Sequence, residues 1–356
     1  MENLTYKWNL ATANFTKDKG KVFSCFACGG GSTMGYKLAG FDVIGCNEID
    51  ERVNKVYVKN HNPKYNYLCD IRELVELARN NELPAELHNL DILDGSPPCS
   101  SFSITGKREK DWGKEKYFRE GQKKQVLDTL FFDFIELGRI LQPKTMVIEN
   151  VKGLLMGNAK DYVIKIYSEL DKAGYYTKHF LLNASTMGVP QNRERVFFIC
   201  FRKDLAGPFL ENVGLFERNV KFNLEFNEKP ILFKEIKTND TDRKLTGKIL
   251  QMWKKRIYGD IDLSFPYMRE ENKCALFSSK FIYDEKVANT LMANDRVVLF
   301  DEPRHLNKKE IILCSSFPED YDFLKQQPHY ICGMSVPPLM IAKISSEVYK
   351  QFLSKL

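Results

Sequence analysis

Between residues 21 and 203, short apolar runs ending in glycine or an acid alternate with longer amphipathic stretches. VFSC runs into FACGGG, and STMGYKLAG behind it has a helical spacing closed by Gly40. FDVIGCNEID predicts a second strand ending on Glu48 and Asp50, and a helix follows over 51–60. Tyr67 to Ile71 reads as a short strand delivering Asp70, which also suits the N-cap of the helix RELVELARNNEL. LDILDGS predicts a buried strand entering a turn, VLDTLFFDFIELGRILQ a helix, and TMVIENV a strand ending on Glu149 and Asn150. A helix over 160–173 precedes two further apolar runs, YYTKHFLLNA and GVPQNRERVFFICF. Strands alternating with helices predict an α/β fold around a largely parallel sheet.

From about Asp204 this alternation stops, and short, basic, aromatic segments such as LQMWKKRIYGD take over. The pattern predicts a catalytic domain over 1–203, completed by 326–356, and a smaller irregular domain over 204–325. Trp253 and Tyr258, interleaved with Lys254, Lys255 and Arg256, suit either nucleic-acid contact or a helix with a core-facing Trp. The closing helix of ICGMSVPPLMIAKISSEVYKQFL is apolar enough to pack back on the first domain.

Composition changes this picture little. The 356 residues carry 53 Lys and Arg against 47 Asp and Glu, a mild excess of 6 that permits a polyanionic partner. Nine cysteines with a single CxxC, Cys25 to Cys28, favour free thiols over disulfides or zinc. No secretory signal and no apolar run of about 18 residues is present, so the expectation is a soluble cytoplasmic protein.

The candidate chemistry gathers at strand ends, where open α/β sheets place their ligands. Pro97 and Pro98 stiffen the chain ahead of Cys99 and withhold two amide donors, so the thiol leaves a strand on a rigid exit. Glu149 stands at another strand tip of the same sheet. Gln191, Arg193 and Arg195 alternate, which on extended chain puts them on one face. Residues 103–124 carry eight basic residues against four acids, with Gly106 and Gly113 as hinges, and fit a lid over a phosphate backbone. Strand, glycine turn, helix, strand, acid is the pattern of a nucleoside-cofactor site: the glycines admit the ligand to the backbone and the acid accepts from ribose hydroxyls.

Seven motifs taken in order resemble the cytosine-5 DNA methyltransferases: FACGGG, NEID, DGSPPCSSFSITGK, ENV, GVPQNRERVFFI, RHLNKKE and GMSVPP. The resemblance covers most of 22–203 and 288–345. It implies a Rossmann-like S-adenosylmethionine-dependent methyltransferase sheet of seven strands, one reversed, with a smaller target-recognition domain. It assigns S-adenosyl-L-methionine to Phe26, Ala27, Gly30, Gly31, Glu48, Ile49, Asp70, Ile71, Pro98, Ser335 and Val336. It makes Cys99 the nucleophile at carbon 6 of a flipped cytosine, Glu149 the group that polarises ring nitrogen 3, and Arg193 or Arg195 a cation that raises the thiolate fraction, with Arg195 also holding the base's carbonyl oxygen. Ser103, Lys107, Arg108, Asn150 and Gln191 fall to the DNA, Asn150 also orienting the Cys99 turn.

No metal is required. The partner is double-stranded DNA, with a cognate restriction endonuclease acting separately if the chain serves restriction–modification, or none if it is an orphan bacterial or phage enzyme. One chain carries a complete site, so a monomer is expected. The sequence departs from the family pattern at Ser24, where Asp is common, Cys28, where glycine is common, Ser100, where Gln is usual, and Met334, where Asn is usual. Competing readings are a transfer RNA cytosine-5 methyltransferase and a catalytically idle DNA-binding regulator.

Overall fold

The computed structural model describes residues 4–98, 129–156, 159–212, 218–239, 242–271, 279–294 and 296–356. Cys99, Ser103, Lys107 and Arg108, with the whole basic segment 103–124, lie outside the described residues. The chain divides into two compact units.

The first unit comprises Asn14–Leu182, Glu194–Glu225 and Ile341–Leu356. In chain order its sheet-forming half runs β1 (Lys21–Cys25), α1 (Gly31–Leu38), β2 (Asp42–Glu48), α2 (Glu51–His61), β3 (Tyr65–Leu68), α3 (Ile71–Arg79) and β4 (Ile92–Gly95). It continues through α4 (Leu130–Leu141), β5 (Thr145–Val151), α5 (Lys160–Lys172) and β6 (Tyr175–Asn183). The two-residue β7 (Gln191–Asn192) precedes β8 (Glu194–Arg202). The sheet has seven strands in the order β3-β2-β1-β4-β5-β8-β6. The β1, β2, β3, β4 and β5 pairings are parallel, and β8 runs antiparallel to β5. The reversed strand expected from the family resemblance is therefore β8.

Strands buried on both faces read as near-continuous apolar runs, as the central β4, β5 and β8 do, whereas β3 and β6 are only partly buried. One face carries Phe23, Leu93, Met146, Ile148 and Phe198 into a core closed by Leu74, Phe131, Phe134 and Ile166 from the helices. A short α6 (Lys203–Ala206) and a hairpin of β9 (Leu210–Asn212) and β10 (Arg218–Val220) follow β8. The last helix, α11 (Pro338–Gln351), continues into Phe352, whose ring meets Phe201 and Phe209 at 5.0 and 4.9 Å, while Tyr349 meets Phe41 at 6.1 Å.

The second unit comprises Met1–Ala13, Asn183–Arg193 and Phe226–Met340. Its helices are α7 (Gly247–Lys254), α8 (Ser264–Glu271), α9 (Lys308–Cys314) and α10 (Pro328–Met334). Its strands are β11 (Lys280–Ile282), β12 (Ala288–Asn289) and β13 (Val297–Leu299), with β11 paired to β13 and β12 to β7. A small core of Leu245, Met252, Leu263, Phe281, Tyr283, Val298 and Phe300 serves it. The RHLNKKE motif proves structural here. Asn307 and Glu310 form a reciprocal cap on α9, and Arg304 forks onto both Glu310 oxygens at 2.8 Å, all of it buried.

These cuts differ from the expected boundaries at 203/204 and 325/326. The hairpin stays with the sheet because Phe222 behind it packs on Phe180 and Phe201 at 5.8 and 5.0 Å. Residues 326–340 stay with the other unit because Gly333 lies against the Met292 backbone, where a Cβ would come within 2.4 Å.

Candidate active site

β1 leads into a tight turn that three left-handed residues shape: Phe26 (φ 54°), Cys28 (φ 47°) and Gly30 (φ 75°). Left-handed backbone is cheap only for glycine, so Phe26 and Cys28 store strain in this turn. Cys28 thus adopts the conformation that explains why glycine is common there. Gly30 has a second constraint, since a Cβ would lie 2.2 Å from His61 Nε2 at the end of α2. Gly31, with a buried backbone, then opens α1.

Glu48, buried at the tip of β2, holds the turn. Its Oε2 accepts from the Cys28 amide at 2.8 Å, and its Oε1 accepts from the Ile49 and Asp50 amides at 2.8 and 2.9 Å. Burial pushes its pKa up while those three amides pull against the shift. A carboxylate offers about four acceptor positions, so the three amides leave one for a ligand hydroxyl. Ala27 donates its amide to the Asn47 carbonyl at 3.1 Å. Asp70 caps α3 by accepting from the Arg72 amide at 2.9 Å and also takes the Arg72 guanidinium at 3.2 Å. Ile71 is a core residue.

At the tip of β5 Glu149 pairs with Arg195 of β8, Nε to Oε1 at 2.9 Å, with side chains only 12% and 15% exposed. The antiparallel register that sets Val151 opposite Arg195 brings them together. Asn150 beside them is buried and donates to the Pro97 carbonyl at 3.2 Å. It thereby fixes the Pro97–Pro98 exit, the last described residues before Cys99.

A residue given no role from the sequence lies on this sheet face as well. Asp94, 3% exposed near the end of β4, accepts from Ser24 Oγ at 2.6 Å and from the Tyr36 hydroxyl at 3.1 Å. Burial, with Glu149 adding to it, raises its pKa to about 7. The Ser24 hydroxyl thus pairs with a carboxylate of the neighbouring strand, 70 residues on. The signal was an acid inside the apolar run LDILDG.

Two expected site residues have other partners. Arg193 is buried in the second unit, donating Nη1 to the Leu291 carbonyl at 3.0 Å and Nη2 to the Gly333 and Ser335 carbonyls at 3.1 and 3.0 Å. Gln191 donates to the Cys314 carbonyl at 3.0 Å and accepts from the Leu291 amide at 3.1 Å. Gln191 and Arg193 thus share Leu291 as a partner in the second unit, while Arg195, on β8 of the sheet unit, pairs with Glu149. Ser335 and Val336 are buried, and Ser335 Oγ has no hydrogen-bond partner among the described residues.

The donor set fits an adenosine-type cofactor. On the sheet unit, Glu48 keeps an acceptor position at the strand tip, beside the glycine turn, for a ribose-type hydroxyl. Sheet order and glycine turn together define a methyltransferase-type α/β fold. A family model of the C-5 cytosine-specific DNA methylases matches residues 20–350, and the chain belongs to that family.

Among curated relatives it is 37% identical to the type II methyltransferase M.FnuDI of Fusobacterium nucleatum, over 52% of this chain and 48% of that protein. It is 27% identical to the type II methyltransferase M.NgoPII of Neisseria gonorrhoeae, over 93% of this chain and 95% of that one. The match thus spans about half of the first relative and nearly all of the second. Among solved structures, a Spodoptera frugiperda DNMT2 mutant has the same fold, with a TM-score of 0.64 at 17% identity, over 92% of this chain and 99% of that one.

Proposed function

We propose that the chain methylates carbon 5 of a cytosine turned out of a specific duplex DNA sequence, through a covalent adduct with Cys99. The observation that carries this reading is the buried Glu149–Arg195 pair beside Asn150, whose amide holds the Pro-Pro exit toward Cys99.

Carbon 5 of cytosine is a poor nucleophile. Addition of the Cys99 thiolate to carbon 6 forms a carbon–sulfur bond and turns the ring into an enamine whose carbon 5 is reactive. Glu149 at ring nitrogen 3 stabilises the charge that this addition pushes into the ring, and Arg195 holds the carbonyl oxygen. S-adenosylmethionine, when bound, supplies the methyl group. Loss of the carbon 5 proton to a water then restores the ring double bond and expels the Cys99 sulfur. Phe26, Ala27, Gly30 and Gly31 at the turn, Glu48 and Ile49, and Asp70 are the residues that hold the cofactor on the sheet unit, with Ser335 and Val336 assigned to its methionine side. Arg193, its guanidinium engaged by three carbonyls, positions Ser335 rather than touching the base.

The basic segment 103–124 closes behind the flipped base and follows the phosphates. The relatives' naming as type II methyltransferases supports a place beside a separate restriction endonuclease, and the chain acts as a monomer. No helix among the described residues is long and apolar enough to cross a membrane. Bisulfite sequencing of plasmid DNA from cells expressing the chain tests the reading beside a Cys99→Ala control. Protected cytosines in one short context, absent from the control, are expected; no protection in either overturns it.

A further inference from the structure

The segment after α7 holds apolar side chains out in water on a backbone that cannot fold them away. Ile257, Tyr258 and Ile261 are 58%, 74% and 59% exposed. Between them Gly259 turns the chain at φ +103°. Asp260, itself buried, braces the turn: its Oδ2 accepts from the Ile257 amide at 2.9 Å, and its two oxygens take the Arg269 fork at 2.7 Å each. The Tyr283 hydroxyl donates to the Asp260 carbonyl at 2.7 Å and accepts from the Gly259 amide at 3.1 Å. The Tyr258 ring rests edge-on against Tyr283 and Phe300 at 5.4 and 5.9 Å.

Exposing three large apolar side chains forgoes the gain of burying them, and a flexible loop would collapse to recover it. Here five hydrogen bonds to a buried acid, its carbonyl and a tyrosine forbid that collapse. Such a turn is shaped before its partner arrives. Lys254, Lys255 and Arg256 lead directly into it; Lys254 and Lys255 are exposed, and the Lys255 ammonium pairs with Glu270 at the surface, where a phosphate can compete for it. Arg256 and Trp253 are spent on the scaffold: the guanidinium stacks 3.2 Å above the indole, and the indole donates to the Leu299 carbonyl at 2.7 Å. A lysine-lined rim is depleted from protein–protein interfaces and suits phosphates.

We propose that the 257–261 turn is a base-reading element of this methylase, with Ile257, Tyr258 and Ile261 against base edges or thymine methyl groups and Lys254 and Lys255 on the flanking phosphates. The inference rests on the DNA-methylase reading above. Apolar contact to the thymine methyl and stacking on a tyrosine are sequence-dependent contacts that a preformed turn can make.

The test is the bisulfite context and the steady-state kcat/KM on a duplex bearing that site, for the wild type, Ile257→Ser/Ile261→Ser, and Tyr258→Ala as an independent variant. A wild type that methylates no DNA cytosine overturns the function itself, and this inference with it. With an active wild type, either variant is expected to stay folded, with its melting temperature held, and to lose about tenfold in kcat/KM or accept a new base at one position of the site. Unchanged context with kcat/KM within about twofold of wild type in both variants overturns the inference while leaving the function standing. So does a wild-type dimer that the double variant converts to an equally active monomer of unchanged context, which would make the turn a self-association surface.

Discussion

In the sheet unit, Asp94, Glu48 and the Glu149–Arg195 pair occupy places where apolar side chains belong, while around Gly259 in the other unit Ile257, Tyr258 and Ile261 stand in water. Both arrangements cost stability, and each is held by hydrogen bonds that leave the groups no cheaper position. The buried charges are costly because low dielectric penalises them, and the same low dielectric strengthens the hydrogen bonds and ion pair that hold them. The exposed apolar groups are costly because water does, and that cost is recovered only against a partner. The two units thus depart from ordinary burial with opposite sign, buried charge in one and exposed apolar surface in the other.

The comparison breaks most easily at Glu149. Glu149→Gln keeps the side chain's size and removes its charge, and should lower turnover about 10²–10⁴-fold with DNA affinity nearly unchanged, as single-turnover and filter-binding assays would read. Arg195→Met leaves Glu149 buried without its cation. Urea unfolding should show about 3–5 kcal/mol lost, and a loss under about 1 kcal/mol would mean that the pair is solvated after all.

Asp94 sharpens the comparison through pH. Its folded pKa of about 7 lies above the unfolded aspartate value. The native state therefore binds the extra proton between about pH 4 and 7, and stability falls as pH rises through that window, then levels off. Asp94→Asn should abolish this fall, worth on the order of 4 kcal/mol at 1.36 kcal/mol per unit; parallel stability–pH curves for the two proteins would refute the buried-acid assignment. The smallest effect belongs to the exposed turn, where Ile257→Ser/Ile261→Ser should change unfolding free energy by no more than about 0.5 kcal/mol.

Most of the sheet was legible because apolar runs of strand length ending in glycine or acid have few alternatives. The strand tips carrying Glu48 and Glu149 were found from that pattern alone. Asp94 escaped because its meaning is a contact with Ser24 across 70 positions, which no local period encodes. The partners of Arg193 were not legible because they are carbonyls 98 to 142 positions away, which no local alternation encodes. Trp253 was left open between core and ligand, and the structure settles it with the bond to Leu299 that no spacing predicts. The boundary between the units was not legible for a similar reason: what packs 204–225 with the sheet is Phe222 meeting Phe180 and Phe201.

Three separate segments build each unit, so the chain passes from one unit to the other five times. Ribosomal synthesis therefore cannot finish either unit before starting the other. The sheet waits for residues 341–356 while the 115 residues from 226 to 340 are made, an interval of about 6–20 s at common elongation rates. Until the last turn of chain arrives, the apolar surface that Phe352 covers on Phe201 and Phe209 stays open in the nascent protein. A variant lacking residues 341–356 should yield aggregates in the cell, and a graft of the other unit onto another scaffold needs three cut segments rather than one.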